Sequence, residues 1–328
     1  MADLTCACGS KAIYTRKHEG NSYCASCFKD QFEKRVKRTI RENGLIGKNE
    51  VIVVGLSGGK DSSVSLVLMK KIFGERPDIR IIAVSIDEGI EHYRDKSLEV
   101  TKKLTRKLGV DHYIVRFKSN LGSSIDDVMA AKAQGENKNL NSCTFCGVFR
   151  RYLLNRAARE LGATKVCTGH NMDDEAQAVL INYLKGDLKR LARMGPKPAL
   201  KSNDKFIPRI KPLRDLPEKE VALYALITKA GNYWGECPYV SGIRFEVRDF
   251  LNDVESKHSG TKFSFLRTFD AMLPVLRESA SKSGLSEITE CENCGEPCSG
   301  DVCKACELLD KLDVNIAKQK MLLQELVR

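Results

Sequence analysis

Ser57-Gly58-Gly59-Lys60-Asp61-Ser62 follows an apolar run, Val51 to Leu56, and leads into a segment of helical periodicity. Two glycines let a backbone approach an anion closely, amide groups at a helix start point toward it, and Lys60 adds a positive charge. These are the parts of a phosphate cradle. The stretch is not a Walker A loop, which needs Gly at position 54 and Ser or Thr at 61, where this chain has Val54 and Asp61.

The 13 cysteines fall into groups. Near the C-terminal end, Cys291-x2-Cys294 and Cys303-x2-Cys306 form two knuckles, each aiming two thiolates at one ion, as structural zinc requires. Cys298 lies between them as a spare. At the other end, Cys6-x-Cys8 and Cys24-x2-Cys27 offer four more thiolates, with a one-residue gap that imposes a different local geometry. Both ends are expected to be small modules stabilised by metal. Cys143-Thr-Phe-Cys146 is a lone knuckle, and the remaining cysteines, Cys167 in an apparent strand and Cys237 before Pro238, could add one distant ligand to it. Three thiolates would leave a metal position open for catalysis or hold an iron–sulfur cluster; from spacing alone a third zinc site or free thiols fit as well.

These residues need elements to position them. Apolar strands at Val51–Leu56, Arg80–Asp87, His112–Phe117 and Lys165–Thr168 alternate with helical patterns at Ser62–Phe73, Tyr93–Leu108, Ile125–Gln134, Gly147–Leu161 and Asp173–Lys185. That alternation predicts an α/β fold, a parallel sheet with helices on both faces. Helices are further expected at Glu218–Ala230, Phe245–Ser256 and Ser264–Ser279, and one amphipathic helix over Leu308–Val327. Ligands of such sheets bind beyond the carboxyl ends of the strands, so Ser57–Ser62, Asp87-Glu88-Gly89 and Thr168-Gly169-His170-Asn171 with Asp173 and Asp174 should converge. His170 reads equally as a loop residue before a helix, and Asp173 as a first-turn acid favourable to the helix dipole.

The 328 residues carry a net charge of +11, which suits a polyanionic partner. Lys185 to Lys219 holds eleven Lys/Arg against four Asp/Glu among five prolines, and Lys29 to Lys48 holds seven against three. The ordinary reading of such runs is a solvated surface. No apolar run is long enough to span a bilayer and MADLTCACGS is no secretion signal, so a cytoplasmic location with no membrane association is expected.

SGGKDS after a strand resembles the PP-loop of ATP pyrophosphatases, which split ATP between the α and β phosphates and place AMP on a substrate. CTFCGVFRRYLLNRAARELGA, TGHNMDDEAQAVLINYLKGDLKRLAR, Cys237-Pro238 and the terminal cysteine groups together resemble the TtuA/NcsA/Ctu family of tRNA 2-thiouridine synthetases. The resemblance implies an adenine nucleotide alpha hydrolase-like PP-loop fold that adenylates uridine C2 oxygen, releases pyrophosphate and then transfers sulfur. It implies two zinc ions, ATP, Mg²⁺, a [4Fe–4S] cluster on Cys143, Cys146 and Cys237, tRNA as substrate, and sulfide or a ubiquitin-like carrier as sulfur source. A homodimer and a lean toward wobble position 34 over position 54 follow from the same likeness. Direct persulfide transfer by the three cysteines, and a PP-loop ligase or amidotransferase without iron–sulfur, stay as alternatives.

Carried over residue by residue, the resemblance places Gly55, Ser57, Gly58, Gly59, Lys60, Asp61 and Ser62 at the phosphates and Ile86 and Asp87 at adenine or ribose. It places Arg150 and Gly169 at the nucleotide, and Lys60 and Asp174 in catalysis. The departures are the one-residue gap of Cys6-x-Cys8 and Cys27, where some members have His. Cys167 has no role in this scheme and reads as a buried strand thiol. The expected organisation is a zinc finger over 1–30, a PP-loop domain over 31–220, a helical extension over 221–285, and a zinc ribbon and helix over 286–328.

Overall fold

The computed structural model describes residues 5–133, 141–196, 205–231, 233–240, 242–282, 288–311, 323 and 325–327. An N-terminal hairpin, β1 (Tyr14–Arg16) and β2 (Asn21–Tyr23), leads into α1 (Ala25–Glu42). The body alternates: β3 (Glu50–Gly55), α2 (Lys60–Phe73), β4 (Ile79–Asp87), α3 (Arg94–Leu108) and β5 (Asp111–Arg116). There follow α4 (Phe117–Leu121), α5 (Ile125–Ala133), α6 (Ser142–Glu160), β6 (Lys165–Cys167), α7 (Met172–Leu184), α8 (Leu188–Ala192) and β7 (Arg209–Ile210). Next come α9 (Glu218–Thr228), α10 (Arg244–Lys257) and α11 (Thr261–Lys282). The C-terminal region adds β8 (Thr289–Glu290), β9 (Pro297–Cys298), α12 (Lys304–Asp310) and β10 (Glu325–Val327).

The main sheet has the order β10-β5-β4-β3-β6-β7 and is parallel except for β10, which runs antiparallel to β5. Its strands are continuously apolar because both faces are covered. Successive side chains point to opposite faces, so Val53, Ile82, Val84 and Val166 join one core with α5, α6 and α12. Ile52, Val54, Ala83 and Cys167 join the other, with α1, α2 and α9. A third apolar cluster holds α7, α8, α10 and α11 together. Chain order reverses between β3 and β6, and the crevice at the carboxyl ends of that pair is where such sheets take ligands.

The N-terminal hairpin is fastened to the body by a buried charge cluster. Arg16 donates through Nε and Nη2 to both carboxylate oxygens of Glu220 at 2.8 and 2.9 Å, and Arg35 adds a third bond at 2.8 Å. Phe32 of α1 stacks on Tyr224 of α9 with ring centroids 4.4 Å apart. The helix α1 runs through residue 30, so the hairpin and the body share one continuous element. At the other end Glu296 pairs with Arg159 of α6, and Cys291, Cys303 and Cys306 are buried in the core beside that helix.

Two expectations need correction. The Leu308–Val327 stretch is not one helix: α12 ends at Asp310, and Glu325–Val327 pairs antiparallel with β5, register Leu326 to Tyr113. The free edge of β5 offers unpaired backbone groups, and pairing them outweighs the helical periodicity of the tail; residues 312–322 lie outside those described. The Gly147–Leu161 helix begins earlier, at Ser142, so Cys143 and Cys146 sit in its first two turns. Asn141 caps it, its side chain accepting the Thr144 N–H at 3.0 Å. Gln134 and residues 197–204 of the basic run also lie outside the described residues.

Candidate active site and metal centres

The loop between β3 and α2 is held in shape by its own serines. The Ser57 amide donates to Ser62 Oγ at 3.1 Å, and that hydroxyl donates to the Gly59 carbonyl at 3.0 Å. Gly58 has φ +89°, and a Cβ there would lie 2.6 Å from the Ser97 carbonyl oxygen, so only glycine fits. Gly169, after β6, is equally confined: a Cβ would meet the backbone of Asp61 and Ser62 at 2.7 Å. Gly55 packs beneath, at the end of β3, against Leu154. The two loops that flank the switch point therefore touch backbone to backbone.

Lys60 Nζ lies 3.0 Å from Asp61 Oδ2 and 2.7 Å from Glu218 Oε1. Burial works against its charge, but the two carboxylates more than offset this and hold its pKa above the ordinary value. Asp61 in turn accepts from Asn171 Nδ2 at 3.0 Å. Asn171 also caps α7 in a reciprocal box with Asp174, whose side chain accepts the Asn171 N–H. Burial pushes the carboxyls of Asp61 and Asp174 up, against the pull of Lys60 on the former and Arg244 on the latter. Two acids, a lysine and free helix-start amides thus face one crevice, an arrangement able to hold a polyphosphate and a divalent cation.

Asp173 sits apart from this chemistry: it accepts the Glu218 N–H at 2.7 Å and pairs with Lys262, tying α7 to α9 and α11. His170 is exposed at the site's mouth, 2.9 Å from Thr168 Oγ1; crowding by surrounding protein, then Lys211, pushes its pKa down to about 4. Ile86 is buried in β4, and Asp87 accepts the Gly89 N–H at 3.0 Å and lies 3.3 Å from Arg116, shaping the turn after that strand.

The sequence marks Glu88 only as part of the loop expected to converge here, with no role of its own. It is 4% exposed, with Arg94 Nε at 3.0 Å and Arg150 Nε at 3.6 Å. Arg94 also donates to the Ser57 carbonyl at 2.7 Å, and the charge of Arg150 acts on Cys146 and Cys237. A chain of contacts thus leads from the phosphate loop toward the thiols through Arg94, Glu88 and Arg150. A second tie is the Tyr233 amide, which donates to the Gly58 carbonyl at 2.8 Å and lies four residues before Cys237. The place of Glu88 in the loop after β4 was legible but its partners were not; Arg94, Glu218 and Arg244 are lone charges in helices with no local pattern to mark them.

Among the described residues, two cysteine sets have all four sulfurs within 4.8 Å of one another: Cys6, Cys8, Cys24, Cys27, and Cys291, Cys294, Cys303, Cys306. Separations of 3.7 Å for Cys8–Cys24, 3.8 Å for Cys291–Cys306 and 3.7 Å for Cys294–Cys303 match the edge of a tetrahedron with Zn–S bonds near ~2.3 Å. Both sets fit a closed four-thiolate metal site. The Cys6-x-Cys8 gap is accommodated by a tight turn in which the Gly9 amide donates to the Cys6 carbonyl at 2.8 Å. Cys143, Cys146 and Cys237 are not drawn together as these sets are, and Cys143 is exposed. Three thiolates outside the two closed sets are a donor set that fits a cluster with one iron left open. Cys167 is fully buried in β6, and burial pushes its thiol up to about 12, the state of an inert core residue. Cys298 donates to the Gly300 carbonyl outside the second set.

Residues 28–252 match the family model described as the PP-loop domain. The chain is 38% identical to the "tRNA 2-thiolation protein NcsA" of Haloferax volcanii, over 93% of this chain and 98% of that one. It is 36% identical to the "tRNA-5-methyluridine(54) 2-sulfurtransferase" of Pyrococcus horikoshii, over 93% of each. The solved structure of the U34-tRNA thiolase NcsA from Methanococcus maripaludis with its [4Fe–4S] cluster superposes with a TM-score of 0.79 at 35% identity, covering 95% of this chain and 97% of that one.

Proposed function

The chain belongs to the PP-loop family, among its tRNA 2-thiolation sulfurtransferases, and from that membership we propose that it is an ATP-dependent tRNA uridine 2-sulfurtransferase acting on wobble position 34. The observation that carries this reading is the chain of contacts leading from the phosphate loop toward the thiols: Ser57 to Arg94, Arg94 to Glu88, and Glu88 to Arg150, whose charge is within electrostatic reach of Cys146 and Cys237. One crevice would then serve both the nucleotide and the sulfur.

In the proposed reaction, Gly58, Gly59 and the amides opening α2 cradle the β and γ phosphates, and Lys60 leaves Asp61 and Glu218 to neutralise them. Asp61 and Asp174 would hold Mg²⁺, which would supply positive charge to the polyphosphate. Gly169 allows the nucleotide close to the loop, with Gly55, Ser57 and Ser62 shaping it, Ile86 and Asp87 beside adenine or ribose, and Arg150 beside the α phosphate. The uridine C2 oxygen attacks that phosphorus, the α–β bridging bond breaks and pyrophosphate leaves. Hydrosulfide attacks C2, the C–O bond breaks with AMP leaving, and the thiol proton is released. A cluster on Cys143, Cys146 and Cys237 would supply, when bound, a coordination position for sulfur.

Two zinc ions at the terminal cysteine sets, Mg²⁺ with ATP, sulfide or a ubiquitin-like thiocarboxylate as sulfur source, a homodimer and a cytoplasmic location complete the proposal. Among the described residues no helix is long and apolar enough to cross a membrane. Mass spectrometry of tRNA from a deletion strain tests it. Loss of 2-thiouridine at position 34 is expected; loss at 54 with 34 intact would redirect the target, and no loss at either would refute the function.

A further inference from the structure

One face of α1 has no task in the site described above. Lys34, Lys37, Arg38 and Arg41 recur at positions i, i+3, i+4 and i+7, so they form a single stripe along the helix. All four are exposed, and none has an ion-pair partner among the described residues. With Gln31 and Arg35 they line a groove of about 380 Å³. The opposite face is buried through Phe28, Phe32, Val36 and Ile40, so the stripe is held rigidly outward. Two other charges of the helix are in use: Arg35 is bonded to Glu220, and Glu33 accepts from Lys71 and Tyr224. Asp30 and Glu42 are the acids that border this face, one turn before Lys34 and one turn after Arg38.

We propose that this stripe is a docking rail for the phosphate backbone of the RNA substrate, an inference that rests on the proposed function and assigns one of its binding surfaces. Four unpaired cations in one row repel one another and gain by taking up a row of phosphates and releasing its counterions. The rail is connected to the site. Thr39 donates to Asp215 Oδ2 at 2.7 Å and Arg35 to the Asp215 carbonyl at 2.8 Å, and three residues later Glu218 holds Lys60. RNA seated on the outer face of α1 is thereby fixed relative to the phosphate loop.

The test is tRNA-transcript binding to the full-length protein, measured by fluorescence anisotropy across a KCl series. Wild type is compared with Lys37→Gln/Arg38→Gln and with a variant carrying Gln at all four positions. Each phosphate contact contributes about 0.7 to 0.9 to the slope of log affinity against log salt. The double variant should therefore lower the slope by about 1.5, and the fourfold variant by about 3, with at least a tenfold loss of affinity at low salt. Unchanged melting temperatures would show that the fold is intact. Affinity and slope equal to wild type would overturn the rail. So would intact tRNA binding with turnover lost only when a ubiquitin-like thiocarboxylate replaces sulfide, because the stripe would then serve an acidic protein. Wild type that makes no 2-thiouridine from ATP with either sulfide or a ubiquitin-like thiocarboxylate would instead remove the functional reading.

Discussion

Replacing Gly169 with Ala tests whether the two loops at the switch point must touch for the site to work. The added Cβ would stand 2.7 Å from the Asp61 carbonyl carbon and the Ser62 nitrogen, about 0.7 Å inside the 3.4 Å at which ordinary contact begins. Both neighbours are backbone at the start of α2, so neither can swing away; either the loop after β6 or the phosphate loop must move. Forcing an extra methyl into packed structure costs roughly 1–3 kcal/mol. A displacement approaching 1 Å at reacting groups costs on the order of a hundredfold in rate. We therefore expect Gly169→Ala to fold with a lowered urea midpoint, a raised KM for ATP and kcat reduced ten- to a hundredfold, read as 2-thiouridine formed from ATP, sulfide and tRNA. Gly300→Ala is the control, since a Cβ there has nothing within 4 Å, and it should match wild type. A Gly169→Ala protein with wild-type stability and kinetics would refute the reasoning that this contact sets the phosphate loop.

Asp174→Asn should abolish thiolation yet stabilise the protein at neutral pH. Burial raises the folded pKa of Asp174 above its ordinary 3.8, so ionising this carboxyl costs stability as pH rises through the folded value. The amide removes that cost, and its melting-temperature advantage should fade as pH falls toward 3.8; an advantage that grows in acid contradicts the assignment. Glu220→Ala leaves Arg16 and Arg35 without their shared buried acceptor and should cost about 3–5 kcal/mol in chemical denaturation, with the N-terminal hairpin detaching. A loss under 1 kcal/mol would mean that this cluster does not hold the hairpin to α9. Elemental analysis of purified protein should give two zinc ions per chain, and Cys303→Ser should reduce this to one with a clear fall in melting temperature, because that ligand set lies within the main core. In anaerobic preparations Cys237→Ser should lose the cluster's visible absorption and all thiolation while its melting temperature changes little; a coloured, active variant would dismiss Cys237 as a ligand.

The parallel sheet, its helices and the phosphate loop were legible from local pattern alone. A buried parallel strand must be apolar on both faces, and VIVVGL followed by SGGKDS admits few other readings. The two four-cysteine sets were legible for the same reason, since ligand spacing within a turn is a local property. The last strand was not. Leu308–Val327 has the periodicity of a helix, and its final residues became β10 because β5 offers an edge, which no property of the tail reveals.

By itself, then, the sequence determined which chemistry the chain could perform: a glycine-lined anion cradle with one lysine, three thiols set apart from two closed metal sites, and an excess of positive charge. Only the tertiary structure decided how these parts act together. Strand order put Gly169 against Asp61 and Ser62, packing of α9 delivered Glu218 to Lys60, and the burial of Glu88 between Arg94 and Arg150 led contacts from the phosphate loop toward the thiols. Such contacts link residues far apart in the chain, and they form because burying a charge is tolerable only when another element brings its partner.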